Sequence, residues 1–112
     1  MAANVTRHTD KFGTAPQISP SDLAEIAAMG FKSVINNRPD GEGGAEQPAS
    51  SEIAAAAKAA GLHYEHLPVI GGQITEAQAK KFAELLATLP GPVLAFCRSG
   101  ARSQNLYQLA NS

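Results

Sequence analysis

Short apolar runs alternate along this chain with longer stretches in which apolar positions recur every three or four residues, the pattern of strands separated by amphipathic helices. Ser19-Pro20-Ser21-Asp22 joins an N-cap serine, a proline suited to the first helical turn and an acid three residues after the cap. A helix is predicted to follow, with Leu23, Ile26, Ala27 and Met29 on its apolar side and Gly30 at its end. Phe31-Lys32-Ser33-Val34-Ile35-Asn36 reads as a strand that runs into a polar, turn-rich loop, Asn37-Arg38-Pro39-Asp40-Gly41-Glu42-Gly43-Gly44. The same unit then repeats. An Ala-rich helix starts at Ser50 or Ser51 and runs to Gly61, and residues 62–69 alternate like a strand. Thr75-Glu76-Ala77-Gln78 is a capping box that opens a third helix with a Phe82, Leu85, Leu86, Leu89 stripe, stopped by Pro90-Gly91-Pro92. The run Val93-Leu94-Ala95-Phe96 is the last strand, and a final helix is expected from about Ser103 through Leu106, Tyr107 and Leu109.

Helices between short apolar strands imply crossover connections and a parallel sheet covered on both faces. The expected fold is a three-layer α/β/α domain over residues 1–112 with a small, about four-stranded, mainly parallel sheet. Residues 4–14 are the least regular part, where Val5, Arg7 and Phe12 permit one or two short edge strands. A formal net charge of -1 supplies no long-range field for nucleic acid or an anionic membrane, so neither is expected as a partner. The first residues lack an apolar signal core, and no stretch approaches the roughly 20 apolar residues of a membrane span. With one cysteine there is no internal disulfide, and a thiolate needs reducing surroundings, which points to the cytoplasm.

That cysteine carries the chemistry. Cys97-Arg98-Ser99-Gly100-Ala101-Arg102-Ser103 follows an apolar strand and turns through small residues into a helix, which aims successive N–H groups at the sulfur. Those donors, the helix N-terminus and two guanidinium groups favour thiolate over thiol, so Cys97 is expected to be a nucleophile in an anion-binding loop made of Arg98, Ser99, Gly100, Ala101 and Ser103. Arg98 and Arg102 share two tasks, attracting an anionic ligand and holding the loop or clamping the ligand. In parallel sheets ligands sit beyond the carboxyl ends of the strands, so the 38–42 loop is the expected neighbour. There Arg38 and Asp40 either form a rigidifying ion pair or act directly on substrate, and Asp40 is the candidate acid, with Glu42 as a substitute. His63 and His66 fall on opposite faces of a strand and Cys97 has no ligand partner at a recognised spacing, so neither a metal nor any other cofactor is expected.

Ile18-Ser19-Pro20, Asn36-Asn37-Arg38-Pro39-Asp40-Gly41-Glu42, Gly71-Gly72-Gln73-Ile74 and Cys97-Arg98-Ser99-Gly100 together resemble the beta-lactamase-hydrolase-like, phosphatase-like domain family across nearly the whole chain. The resemblance implies a dual-specificity-phosphatase-like fold, a rhodanese-like loop and, as a partner, a metallo-beta-lactamase-fold persulfide dioxygenase. Cysteine phosphatases of this type would carry arginine six positions after cysteine. Here Arg102 stands five after Cys97, the sixth position is Ser103, and Phe96 replaces the preceding histidine. The shorter ring suits one sulfur atom better than a tetrahedral phosphate. The stretch that supplies the acid in dual-specificity phosphatases corresponds to Pro68-Val69-Ile70-Gly71-Gly72-Gln73, which has none.

The expected function is therefore a sulfurtransferase, moving sulfane sulfur from a small anionic donor to a thiol acceptor through a Cys97 persulfide. The alternative is a cysteine-dependent phosphatase working through phosphocysteine, and a third reading is a non-catalytic persulfide carrier for the dioxygenase.

Overall fold

A computed structural model describes residues 4–111. Five strands form one sheet: β1 (Thr6–Thr9), β2 (Phe12–Ala15), β3 (Ser33–Asn36), β4 (His63–His66) and β5 (Val93–Phe96), in the order β1-β2-β5-β3-β4. All neighbours are parallel except β1, which pairs antiparallel with β2. Four α-helices cover the sheet: α1 (Leu23–Ala28), α2 (Ser50–Ala59), α3 (Glu76–Thr88) and α4 (Ala101–Ala110). Among the described residues, none of these helices is long and apolar enough to cross a membrane.

The alternation of β-strand side chains divides the core into two layers. Val34, Leu94 and Phe96 pack with Leu23, Ile26, Ile53 and Ala57 of α1 and α2. Ile35, Val93 and Ala95 face the other way, onto Phe82 and Leu85 of α3 and Leu106 of α4. Leu94 and Ile35 are fully buried, which is why the central strands read as continuous apolar runs rather than alternating ones.

The helix starts follow the sequence closely. The Ser19 N–H donates to Asp22 Oδ2 at 2.8 Å, and Thr75 and Gln78 exchange hydrogen bonds of 2.9 and 3.1 Å at the start of α3. Gly30, at φ +99°, takes the left-handed conformation that closes the first helix.

Three expectations change. The sheet has five strands rather than about four, and β2 is an inner strand between β1 and β5 rather than an edge. The Phe12-Gly13-Thr14-Ala15 segment is buried throughout, yet its small side chains leave no apolar run to mark it as central. Close packing explains Gly13, where a Cβ would lie 3.0 Å from the Phe31 ring. The last helix also starts at Ala101, two residues before the expected Ser103, because Gly100 at φ +95° ends the loop and serves as its N-cap.

Strand register places the site. Ala15, Phe96 and Asn36 are mutual partners across β2, β5 and β3, so three strands end flush. Pro16, Cys97 and Asn37 therefore leave the sheet side by side at its carboxyl edge.

Candidate active site

Cys97 leaves β5 fully buried, with its own N–H reaching the Ala15 carbonyl at 3.4 Å. The chain then curls round the sulfur. Gly100 N–H donates to Sγ at 3.0 Å, and the N–H groups of Ser103, Ser99 and Arg102 face it as well. Burial pushes the thiol pKa up, but these backbone donors outweigh it and leave Cys97 below its ordinary value. Gly100 makes the curl possible. Its φ of +95° lies in the left-handed region that side chains rarely adopt.

The two arginines of the loop separate cleanly. The Arg102 guanidinium folds back over the site beside Cys97 and donates to the Val69 carbonyl at 3.0 Å. It also grips Glu42 in a two-armed pair, Nη1 to Oε2 at 2.8 Å and Nη2 to Oε1 at 2.6 Å. Arg98 is exposed. No hydrogen bond or ion pair to its side chain occurs among the described residues, while its carbonyl accepts from Gln17 N–H at 3.2 Å. Ser103, at the sixth position after Cys97, is fully buried, and its hydroxyl donates inward to Asn37 Oδ1 at 2.8 Å. A side chain at 103 thus enters the core, so only its N–H contributes to the anion loop. Ser99 and Ala101 are exposed, and the Ser99 Oγ accepts from the Ala101 N–H at 3.4 Å.

The loop after β3 supplies the opposite wall. Asn36 and Asn37, both buried, hold its start: Asn36 Oδ1 accepts the Arg38 N–H at 2.8 Å, and Asn37 Nδ2 donates to the Leu67 carbonyl at 3.0 Å. Arg38 is pinned by Gln17 Oε1 at 3.1 Å and by Glu42 Oε1 at 2.9 Å, and its carbonyl lies 2.9 Å from His66 Nε2. Glu42 therefore serves both arginines. The hydrogen bond from Arg102, then that from Arg38, overcome its partial burial and draw its pKa from 4.5 down to about 2. Glu42 in turn raises the Arg102 pKa and keeps that group cationic. Arg38, Glu42, Gly43, Gly71, Arg98 and Arg102 line an open cavity of about 520 Å³.

Asp40 is the residue the sequence reading misplaces. It neither pairs with Arg38 nor lines this cavity; its Oδ1 accepts the Ser50 N–H at 2.8 Å and ties the loop to the start of α2. The turn through Pro39 and Gly41 carries the exposed Asp40 outward and brings Glu42 back. The i, i+4 spacing of Arg38 and Glu42 was the available signal, and it was hidden by the nearer acid. Asn37 was missed altogether, since a polar residue after a strand reads as turn material.

Residues 4–112 match the family described as beta-lactamase hydrolase-like protein, phosphatase-like domain. A beta-lactamase hydrolase-like protein of Agrobacterium fabrum is 41% identical over 106 residues, which is 95% of this chain and 24% of that protein. One from Xylella fastidiosa is 41% identical over 101 residues, 90% of this chain and 23% of the relative. The chain thus spans about a quarter of the length of these relatives. A crystal structure described as a candidate phosphatase from Neisseria meningitidis superposes with a TM-score of 0.84 at 32% identity, covering 90% of this chain and 71% of that one. The core catalytic domain of a PP-IP phosphatase from S. cerevisiae shares the fold, with a TM-score of 0.73 at 18% identity over 94% of this chain and 62% of that chain. These likenesses favour the phosphatase alternative over sulfur transfer, which none of them supports. The short ring between Cys97 and Arg102 still turns four backbone N–H groups toward the sulfur.

Proposed function

Because this chain belongs to the family of beta-lactamase hydrolase-like, phosphatase-like domains, we propose that it is a cysteine-dependent phosphatase that cleaves a phosphomonoester through a phosphocysteine intermediate. The observation that carries the reading is the ring of N–H groups from Ser99, Gly100, Arg102 and Ser103 around a buried Cys97 Sγ, with the Arg102 guanidinium above it.

In the first half-reaction the Cys97 thiolate attacks phosphorus. The S–P bond forms as the ester P–O bond breaks, and the non-bridging oxygens take hydrogen bonds from the loop and from Arg102. The departing oxygen needs a proton, and Glu42 is the carboxyl group in the cavity wall that can give it. In the empty site Glu42 is ionised by its two arginines. A phosphoryl dianion that takes Arg102 removes one of those partners and adds a like charge, and both changes raise the Glu42 pKa toward that of an acid. In the second half-reaction water, deprotonated by Glu42, attacks the phosphocysteine and releases inorganic phosphate with the thiolate restored. A reducing, cytoplasmic setting belongs to the same proposal.

The test pairs two assays on wild type and Cys97→Ser. Phosphate release from an aryl phosphate by wild type alone supports the reading. A mass gain of about 32 Da on wild type after thiosulfate, discharged by a thiol and unaccompanied by phosphate release, overturns it in favour of a persulfide.

A further inference from the structure

Deepening the phosphatase reading, on which it rests, we infer that the substrate is a compact, non-aromatic phosphomonoester bearing a second anionic group, and that Arg98 receives that group.

Three guanidinium groups line the cavity, and two are already committed. Arg102 is held beside Cys97 by Val69 and Glu42 and so belongs to the scissile phosphoryl group. Arg38 is fixed by Gln17 and Glu42 and is 7% exposed. Arg98 has neither fate. It faces the same cavity with no side-chain partner among the described residues, and the loop N–H groups that surround Cys97 already serve the first phosphate. Because Arg98 follows Cys97 directly, their Cα atoms lie about 3.8 Å apart. Its guanidinium therefore meets an anion within one side-chain length of the reaction centre, which makes the ligand compact.

The rest of the wall gives an aryl group no apolar surface, so aryl esters should be turned over less well than the compact anion. The lining residues are arginine, glutamate and glycine, with no aromatic or aliphatic side chain on which a ring could rest. The aromatic residues are used elsewhere. Phe12, Phe31, Phe82 and Phe96 are core residues, Tyr107 stacks on Phe12 at 4.0 Å, and Tyr64 hydrogen-bonds Ser50 and Asn36. Gly43 lets the Arg38 guanidinium lie against the chain, since a Cβ at 43 would strike it at 2.6 Å.

The experiment compares 3-phosphoglycerate with glycerol 3-phosphate, a pair of like size that differs by a carboxylate, and fructose 1,6-bisphosphate with fructose 6-phosphate for a second phosphoryl group. Phenyl phosphate is the aryl control. Wild type should favour the doubly anionic member of at least one pair by about fivefold or more in kcat/KM, and Arg98→Ala should erase most of that ratio while Arg98→Lys keeps part of it. No preference in either pair, a preference that survives Arg98→Ala, or phenyl phosphate as the best substrate would overturn the inference. If no compound yields Cys97-dependent phosphate, the phosphatase reading fails separately. Equilibrium binding of the same pairs to Cys97→Ser, with and without Arg98→Ala, then decides the second anion site by the same ratio.

Discussion

In the 97–103 loop the groups that surround the reacting position are backbone N–H donors, held by Gly100 and by the start of α4, whereas in the 37–44 loop they are side chains tied by hydrogen bonds and ion pairs. Both loops leave the same edge of the sheet from partners in register, Phe96 and Asn36. The first wall is a property of chain path, and few substitutions can remove its donors. The second depends on which residue stands at each position, and every contact in it can be cut singly. Rate should respond to both loops, and pH sensitivity mainly to the second.

Glu42→Gln should have the largest effect on that contrast. A lost proton donor lowers kcat by about 10²-fold or more, read by phosphate release, while orthophosphate should bind more tightly because Arg102 is freed. A rate within a few-fold of wild type would reduce Glu42 to a positioning residue for Arg102. Ser103→Ala leaves Asn37 Oδ1 without its buried donor and should cost about 1–3 kcal/mol of stability, measured by denaturant unfolding. That substitution tests whether the backbone loop depends on the β3 loop for its anchor.

A smaller effect follows from acid. The Glu42 pKa is depressed to about 2 in the folded protein from an ordinary value of 4.5, so its stabilisation is complete above about 4.5 and fades as pH falls toward 2. The Tm difference between wild type and Glu42→Gln should accordingly shrink between pH 6 and pH 3, and a constant difference would detach the ion pairs from stability. Asp40→Ala should do least, lowering stability by about 0.3–1 kcal/mol through the start of α2 and slowing turnover far less than Glu42→Gln.

The same contrast explains what was legible beforehand. Cys97, Gly100 and the following helix could be read as an anion loop because strand, glycine and helix are local signals, and local order sets where N–H groups point. The three-layer fold was readable for the same reason, from capping motifs at Ser19 and Thr75 and from buried strands at Val34 and Leu94. Glu42 was legible only as an alternative acid and its pairing was not, since its partner Arg102 lies 60 residues away and only the flush ends of β3 and β5 bring them together. Asp40 and Glu42 differ by two positions in one turn, and the i, i+4 spacing from Arg38 is the one local sign that Glu42 faces the cavity. β2 escaped as an inner strand because Gly13 and Ala15 are chosen for closeness to neighbours, which leaves no hydrophobic signature.

The bidentate pair between Glu42 and Arg102 means that the empty site carries its own competitor. A carboxylate tethered within the chain acts at an effective concentration of millimolar or above, which free ions must exceed to enter. Chloride and simple carboxylates, singly charged and unable to use the N–H ring as well, displace the tether poorly. A phosphoryl dianion gains the ring and the guanidinium fork at once, so the tether works as a filter on charge and shape before any bond is broken.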